Sequence, residues 1–246
     1  MTIEITGRVM PASNATFVGT IEGETVVYKP ISGERPLWDF PDGQLARREV
    51  AAYEVSQAMG WDVVPTTWMG DGPHGPGMLQ RWCDTDPAQH AVDLVPSGRV
   101  PDGWRHVFDG FDAQDRPVAL VHEDTPELRR MAVFDLVVNN ADRKGGHVLE
   151  MTSGHRHGID HGLTLHHEHK LRTILWGWTD EPLTDDEVAG VERVRDGLAG
   201  DLGQVLDDLL TIHDVAALGR RCERILRDPR FPAPRGQMPP IPWPPF

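Results

Sequence analysis

Between Met131 and Val138 the chain reads Met-Ala-Val-Phe-Asp-Leu-Val-Val, apolar nearly all round, and a helix of that kind is stable only when other structure encloses it. Thr125-Pro126-Glu127 opens it by the usual rules, with a capping hydroxyl, a proline at the first helical position and an acid in the first turn. A buried central helix is therefore expected here. Its end delivers a polar run, Asn139-Asn140-Ala141-Asp142-Arg143-Lys144-Gly145-Gly146-His147. Val148-Leu149-Glu150-Met151 is then expected to pair across Thr152–His157 with Ile159, which sets Asp160 opposite Asp142. A short hairpin thus places two acids at one cleft.

Upstream, residues 3–10 alternate well enough for a strand, and a second is expected over 17–21. Glu22-Gly23 closes a hairpin into Val26-Val27-Tyr28-Lys29-Pro30, a β-branched and aromatic run ending in a lysine. Glu49 lies on a helical face with Ala52 and Tyr53, and an acid on an inward face usually has a cationic partner. Lys29 is the natural candidate. Val63–Met69 and Gly77–Trp82 read as paired strands around Gly70–Pro76, with a loop at 31–44 leading into the Glu49 helix. Residues 83–122, rich in Asp, Pro and Gly, give little pattern. Thr184 and Glu187 form a capping box ahead of Val188, Val191 and Val194, and further helices are expected at about 202–210 and 213–227. The tail from Phe231 to Phe246 is proline-rich extended chain that packs on the body or meets a protein partner.

The order of these pieces, Val27-Tyr28-Lys29-Pro30, then Arg48-Glu49-Val50-Ala51-Ala52-Tyr53, Val63-Val64-Pro65-Thr66-Thr67, Asn139–Arg143 and Ile159–Leu163, resembles the phosphatidylinositol 3-/4-kinase-like superfamily. The nearest branch is the type II phosphatidylinositol 4-kinases, and more narrowly the small kinase-like proteins of actinobacteria. The resemblance covers roughly residues 10–180. It implies an α+β, small two-lobed protein-kinase-like (PI3/PI4-kinase-like) fold, with an N-lobe over 1–82, a helical C-lobe over 83–246 and the proline-rich tail at 231–246. It further implies an ATP-dependent phosphotransferase acting on a hydroxyl acceptor, a protein in preference to a small molecule or lipid. In that arrangement Lys29 contacts the nucleotide phosphates and Glu49 positions it. Ser13 and Asn14 lie in the turn over the phosphates, and backbone groups near Gln80, Arg81 and Trp82 receive the adenine. Asp142 orients the acceptor, Lys144 neutralises the transferred phosphoryl group, and Asp160 with His147 holds Mg or Mn. Two departures stand out. His147 replaces the asparagine of the kinase Asp-x-Lys-x-x-Asn loop, which favours Mn²⁺ over Mg²⁺, and His161 replaces the phenylalanine of Asp-Phe-Gly. With the glycine-free phosphate loop, they support an alternative, a nucleotide-binding pseudokinase without turnover.

A rival from another class rests on the histidines. His155-Arg156-His157-Gly158-Ile159-Asp160-His161 nearly spells the His-x-His-x-Asp-His run of binuclear zinc hydrolases, one residue too long. His166-His167-Glu168-His169 follows without the spacing of a helical zinc site. Composition narrows the partners. A formal charge of −14 over 246 residues argues against nucleic acid and anionic membrane surfaces, and so against a lipid substrate. No apolar run reaches the ~20 residues of a membrane span, the first residues lack a basic, apolar signal region, and no disulfide framework exists with two cysteines. A cytoplasmic setting without stable membrane association is expected.

Overall fold

The computed structural model describes residues 3–9, 14–35, 37–40, 43–236 and 238–246. It is a mixed α/β structure with antiparallel sheets. Strands β1 (Glu4–Arg8), β2 (Phe17–Ile21) and β3 (Glu24–Pro30) precede helix α1 (Leu45–Met59), followed by β4 (Thr67–Gly72) and β5 (Gly75–Arg81). These strands form one sheet in the order β1-β2-β3-β5-β4. In β3, Val26, Tyr28 and Pro30 are buried on one face, so strand alternation turns Lys29 to the other. Helix α1 is no surface helix. Val50, Ala51, Ala52, Val55 and Met59 are buried among the main core, and Arg48 and Glu49 are buried with them. Its start is capped from a distance, by Glu34 Oε1 accepting from the Ala46 N–H at 2.8 Å. Its end is Gly60 in a left-handed conformation, φ 75°.

The β4–β5 strands lie nearer their turn, which is tighter, than the strands expected at Val63–Met69 and Gly77–Trp82. The ladder runs to Gly72↔Gly75, leaving Pro73 and His74 as the turn. Gly72, expected in the turn, is a strand position, and both it and Gly77 lie against Tyr28. A Cβ at Gly72 would meet the Tyr28 ring at 2.5 Å, and one at Gly77 would meet the Lys29 carbonyl at 2.5 Å. Val63 and Val64 are buried without joining the sheet, because their backbone is satisfied elsewhere. The Val63 carbonyl accepts from Gly158 at 2.7 Å and the Val64 N–H donates to Ser56 Oγ at 3.0 Å.

Residues 83–123, expected within a helical region, hold a three-stranded sheet. Strands β6 (Val92–Pro96), β7 (Trp104–Phe111) and β8 (Pro117–Glu123) lie in the order β6-β8-β7. The outer strands are largely exposed and β8 alone supplies a buried run, Ala119-Leu120-Val121-His122, which explains why hydrophobic patterning missed them. Helix α2 (Pro126–Val138) follows as expected, capped by the Thr125 side chain and buried from Met131 to Val138. The short hairpin β9 (Val148–Glu150) and β10 (Arg156–Gly158) leads to Asp160, with Val148 paired to Gly158. Helices α3 (Asp185–Gly197), α4 (Asp201–Leu209) and α5 (Ile212–Arg227) complete the core, and the Thr184–Glu187 capping box is formed. Glu187 also binds Arg129 at 2.7 Å, tying α3 to α2.

The proline-rich tail packs on the body. The Pro240 carbonyl accepts from the Thr173 N–H at 3.0 Å and from Trp176 Nε1 at 3.1 Å, and the Pro245 carbonyl accepts from the Gly145 N–H at 2.8 Å. Phe246 lies so close to Gly145 that a Cβ there would meet its ring at 2.4 Å. No helix among the described residues is long and apolar enough to cross a membrane.

His122 shows how far the interior is dehydrated. It is fully buried, its ring 4.3 Å from that of Trp178. Nδ1 donates to the Glu123 carbonyl at 2.8 Å and Nε2 accepts from the Gly177 N–H at 3.1 Å, so the neutral ring is satisfied. Burial lowers its pKa to about 4. The unfolded chain therefore binds a proton near pH 6.5 that the folded chain refuses until about pH 4. Stability from this group is complete above pH 6.5 and should decline by about 3 kcal/mol as the pH falls to 4. Urea denaturation across that range checks it, and His122→Gln should flatten the slope.

Candidate active site

Strand β3, helix α1 and the loops after α2 and β10 bring their charged residues to one place. Lys29 Nζ donates to Glu49 Oε1 at 2.6 Å and to Asp160 Oδ1 at 2.8 Å. Glu49 is buried, and its second oxygen accepts from the His161 N–H at 2.9 Å, so one carboxylate holds both the lysine and the backbone that carries Asp160. Asp160 is left-handed, φ 60°, which is costly for a residue with a side chain and is tolerated where the surroundings dictate it. Here the Ile159 N–H, donating to the His147 carbonyl at 3.0 Å, and the His161 N–H fix the residues on either side. The Asp160 carboxylate remains 51 % exposed.

The charges shift one another. Burial works against the Lys29 ammonium, yet Asp160 and Glu49 override it and raise the lysine above its ordinary value. The same ammonium is the main reason that Asp160 is held well below the usual carboxylate range. Burial pushes the Glu49 carboxyl up, with Lys29 opposing. His147 completes the group. Its Nδ1 donates to the Asp142 carbonyl at 3.0 Å, which leaves the Nε2 lone pair directed 3.5 Å from Asp160 Oδ2. Burial lowers the pKa of this ring, keeping it neutral. A neutral imidazole nitrogen beside an ionised carboxylate is a donor pair suited to a divalent cation.

Asp142 and Lys144 stand on the same loop, with Lys144 Nζ 3.2 Å from Asp142 Oδ2 and each side chain 23 % exposed. The Asp142 N–H donates to Asn140 Oδ1 at 2.9 Å. Asn139 ends α2 in a left-handed conformation, and its side chain donates to the His166 and Glu168 carbonyls. Beneath the loop lies Arg143, wholly buried against the equally buried Asp135 at 2.9 Å. Arg143 Nη1 also donates to the His147 and Ile159 carbonyls, and Nη2 donates to His161 Nε2 at 2.7 Å. Thr173 Oγ1 donates to the second Asp135 oxygen at 3.0 Å. The sequence reading did not single out Asp135. The signal was present, as the one acid inside Met131–Val138.

Other expected contributors have partners of their own. Gln80 is buried with its amide on Thr67, Arg81 pairs with Glu24 at 2.7 Å, and Trp82 Nε1 donates to Asp84. The backbone N–H groups of Arg81 and Trp82, expected at an adenine edge, are already bonded to the Thr66 and Thr25 carbonyls. Asn14 Oδ1 accepts from the Arg35 N–H at 3.0 Å, and Ser13 lies outside the described residues. The run His155–His161 does not form one metal site. Its first two histidines face Asp62, Asp160 faces Lys29, and His161 is turned to Arg143. Trp176 and Trp178 donate their ring N–H groups to the Pro240 carbonyl and to Asp124. Two cavities, of about 380 and 310 Å³, include none of the clustered groups.

No family model matches the chain. The chain is 47 % identical to Protein Rv2133c of Mycobacterium tuberculosis (strain ATCC 25618 / H37Rv) over a 257-residue alignment that covers 99 % of this chain and 92 % of that protein. It belongs to the family of that mycobacterial, and hence actinobacterial, protein. Among solved structures it is similar to the Helicobacter pylori proinflammatory kinase CtkA, with a TM-score of 0.47, 13 % identity and 92 % of each chain covered. It is also similar to a chain of the Shewanella oneidensis MR-1 HipA, HipB and operator DNA complex, with a TM-score of 0.45, 12 % identity, and 90 % of this chain and 66 % of that one covered.

The Asp135–Arg143 pair sets a stability test. Arg143→Ala strands a carboxylate that is 0 % exposed. The loss should be about 3–5 kcal/mol in urea denaturation. Asp135→Asn, which keeps the shape and removes the charge, should lose a comparable amount, and the double variant less than the sum.

Proposed function

We propose that this chain is an ATP-dependent phosphotransferase with a two-lobed, protein-kinase-like arrangement, residues 1–82 forming one lobe and 83–246 the other. The observation that carries the reading is the junction of Lys29, Glu49, Asp160 and His147, with Asp142 on the adjoining loop. Phosphoryl transfer leaves the protein little covalent chemistry. It needs a cation on the phosphates, a metal site and an acid for the nucleophile. In this reading Lys29 leaves Asp160 for the nucleotide phosphates, with Glu49 keeping it in place. Asp160 and His147 Nε2 would hold a divalent metal, which would supply positive charge against the phosphates. Asp142 orients an acceptor hydroxyl, with Lys144 beside it for the transferred group. Adenine contacts fall to the chain beyond Trp82, since the Arg81 and Trp82 amides are engaged. The net charge of −14 favours a protein or small-molecule acceptor over a lipid in an anionic surface.

Calorimetric titration with ATP and Mn²⁺ tests the binding half. Lys29→Ala should weaken ATP by about tenfold or more without unfolding, and unchanged affinity would remove Lys29 from the site. Asp160→Ala should abolish metal-dependent binding, whereas Asp142→Ala should bind normally and stop phosphoryl transfer, because a metal ligand acts on the ground state as well and an orienting acid mainly on turnover. ATP binding with no transfer to any acceptor, the chain itself included, would establish the pseudokinase alternative.

The His147 position separates metals. A ring nitrogen there suits Mn²⁺ better than Mg²⁺, and His147→Asn supplies an amide oxygen instead. The ratio of Mn²⁺- to Mg²⁺-supported ATP affinity should fall in His147→Asn. If His147→Asn and His147→Ala both leave the ratio unchanged, the ring only packs beside Asp160.

A further inference from the structure

A second set of metal-ligating side chains lies apart from the Lys29–Asp160 cluster. Asp62 follows the Gly60 cap of α1, in a left-handed conformation with φ 52°. His155 and His157 flank Arg156, and alternate residues of an extended segment share a face. A carboxylate oxygen of Asp62 and one nitrogen of each ring lie within 4.8 Å of one another. The rings sit edge to face, 4.4 Å between centroids. His157 Nδ1 is buried and has no hydrogen-bond partner, a cost that coordination would remove.

The surroundings favour ligation. His155 Nε2 is 2.8 Å from the Asp62 carbonyl, so it donates there and leaves the Nδ1 lone pair free, the supporting bond that metal-bound histidines commonly make. Burial lowers the His157 pKa and the neighbouring His155 adds to it, so this ring is neutral near pH 7, as a ligand must be. Gln57 Nε2 holds Asp62 Oδ1 at 3.3 Å. A tetrahedral zinc with bonds of about 2.0–2.1 Å needs its ligand atoms about 3.3 Å apart. The three ligand atoms lie within 4.8 Å of one another, so ligation requires them to draw together.

We propose that Asp62, His155 and His157 form a binding site for a zinc-class divalent cation, with three protein ligands and an open position for water. The bland reading, a histidine-bearing hairpin with no ion, leaves the buried His157 Nδ1 unexplained. The site has a structural consequence. Asp62 lies just past the helix that carries Glu49, and β10 leads from His157 to Asp160 through Gly158, whose N–H already donates to the Val63 carbonyl at 2.7 Å. An ion here ties together the two segments that set the Glu49–Lys29–Asp160 geometry.

The test is titration of the metal-stripped full chain with Zn²⁺, by calorimetry and thermal shift, with Mg²⁺ in excess and no nucleotide. Wild type and Asp160→Ala should each take up a single tight equivalent. Asp62→Asn, an exposed change that leaves the fold intact, and His157→Ala should each weaken it by at least about tenfold, while His167→Ala should not. Zinc uptake that Asp62→Asn and His157→Ala leave unchanged, or that only Asp160→Ala or His167→Ala removes, would overturn the proposal, as would no uptake by wild type. Because the readout uses no ATP, failure of the phosphotransferase reading would leave a positive result standing.

Discussion

The arrangement depends on a buried ion pair. Arg143 and Asp135 are both removed from water, and two charges in such a place are retained only when each finds a full set of partners. Asp135 receives Arg143, Asn140 and Thr173. Arg143 spends its remaining donors on the His147 and Ile159 carbonyls and on His161. These bonds reach the loop after α2, the loop after β10 and the segment at Thr173. The positions of Asp142, His147 and Asp160 follow from one guanidinium, because each is within a few residues of an atom it holds. His161 belongs to the same device. Burial and the adjacent Arg143 keep its ring from protonating, so Nε2 stays an acceptor for that guanidinium.

A second constraint joins the five-stranded sheet to this network. Glu49 accepts from Lys29 and from the His161 N–H at once, so helix α1 cannot shift without disturbing both strand β3 and the left-handed Asp160. Arg48, the preceding residue, reaches the other way to Asp214 at 3.0 Å at the start of α5. Adjacent charged residues in a buried helix are thus each assigned to a different neighbour. That explains why α1 lacks the clean apolar stripe of an ordinary amphipathic helix.

Much of this was legible because the polar residues sit where periodicity makes them anomalous. Lys29 at the end of an apolar strand and Glu49 on an inward helical face each demanded a partner, and the partner was the same bond. The strands missed at 92–123 carried no such contradiction. Their outer members are largely exposed, and a half-solvated sheet between Asp-, Pro- and Gly-rich turns has almost no hydrophobic period to read. The β4–β5 turn failed for another reason. Gly72 reads as a turn residue, while it and Gly77 let Tyr28 and the β3 backbone pass closely, a tertiary requirement that no local pattern records. The run His155–His161 misled by proximity in sequence. The alternation along β10 and the left-handed turn at Asp160 send its members to three destinations.

The charge balance of the cluster sets what it can accept. Lys29 offers one positive charge to two carboxylates, Glu49 and Asp160, and His147 stays neutral beside them. Glu49 is enclosed and has a backbone donor as well, so its share of the lysine is secure. Asp160 is half exposed and its second oxygen faces the His147 lone pair, two acceptors 3.5 Å apart with no proton between them in the neutral state. A cation between them, or a donated proton, removes that opposition. A divalent ion would satisfy both atoms and release Lys29 from Asp160 toward an incoming anion. Metal and phosphate would then arrive as coupled ligands, each lowering the cost of the other, and that coupling rests on the proposal for the cluster rather than on any residue outside it.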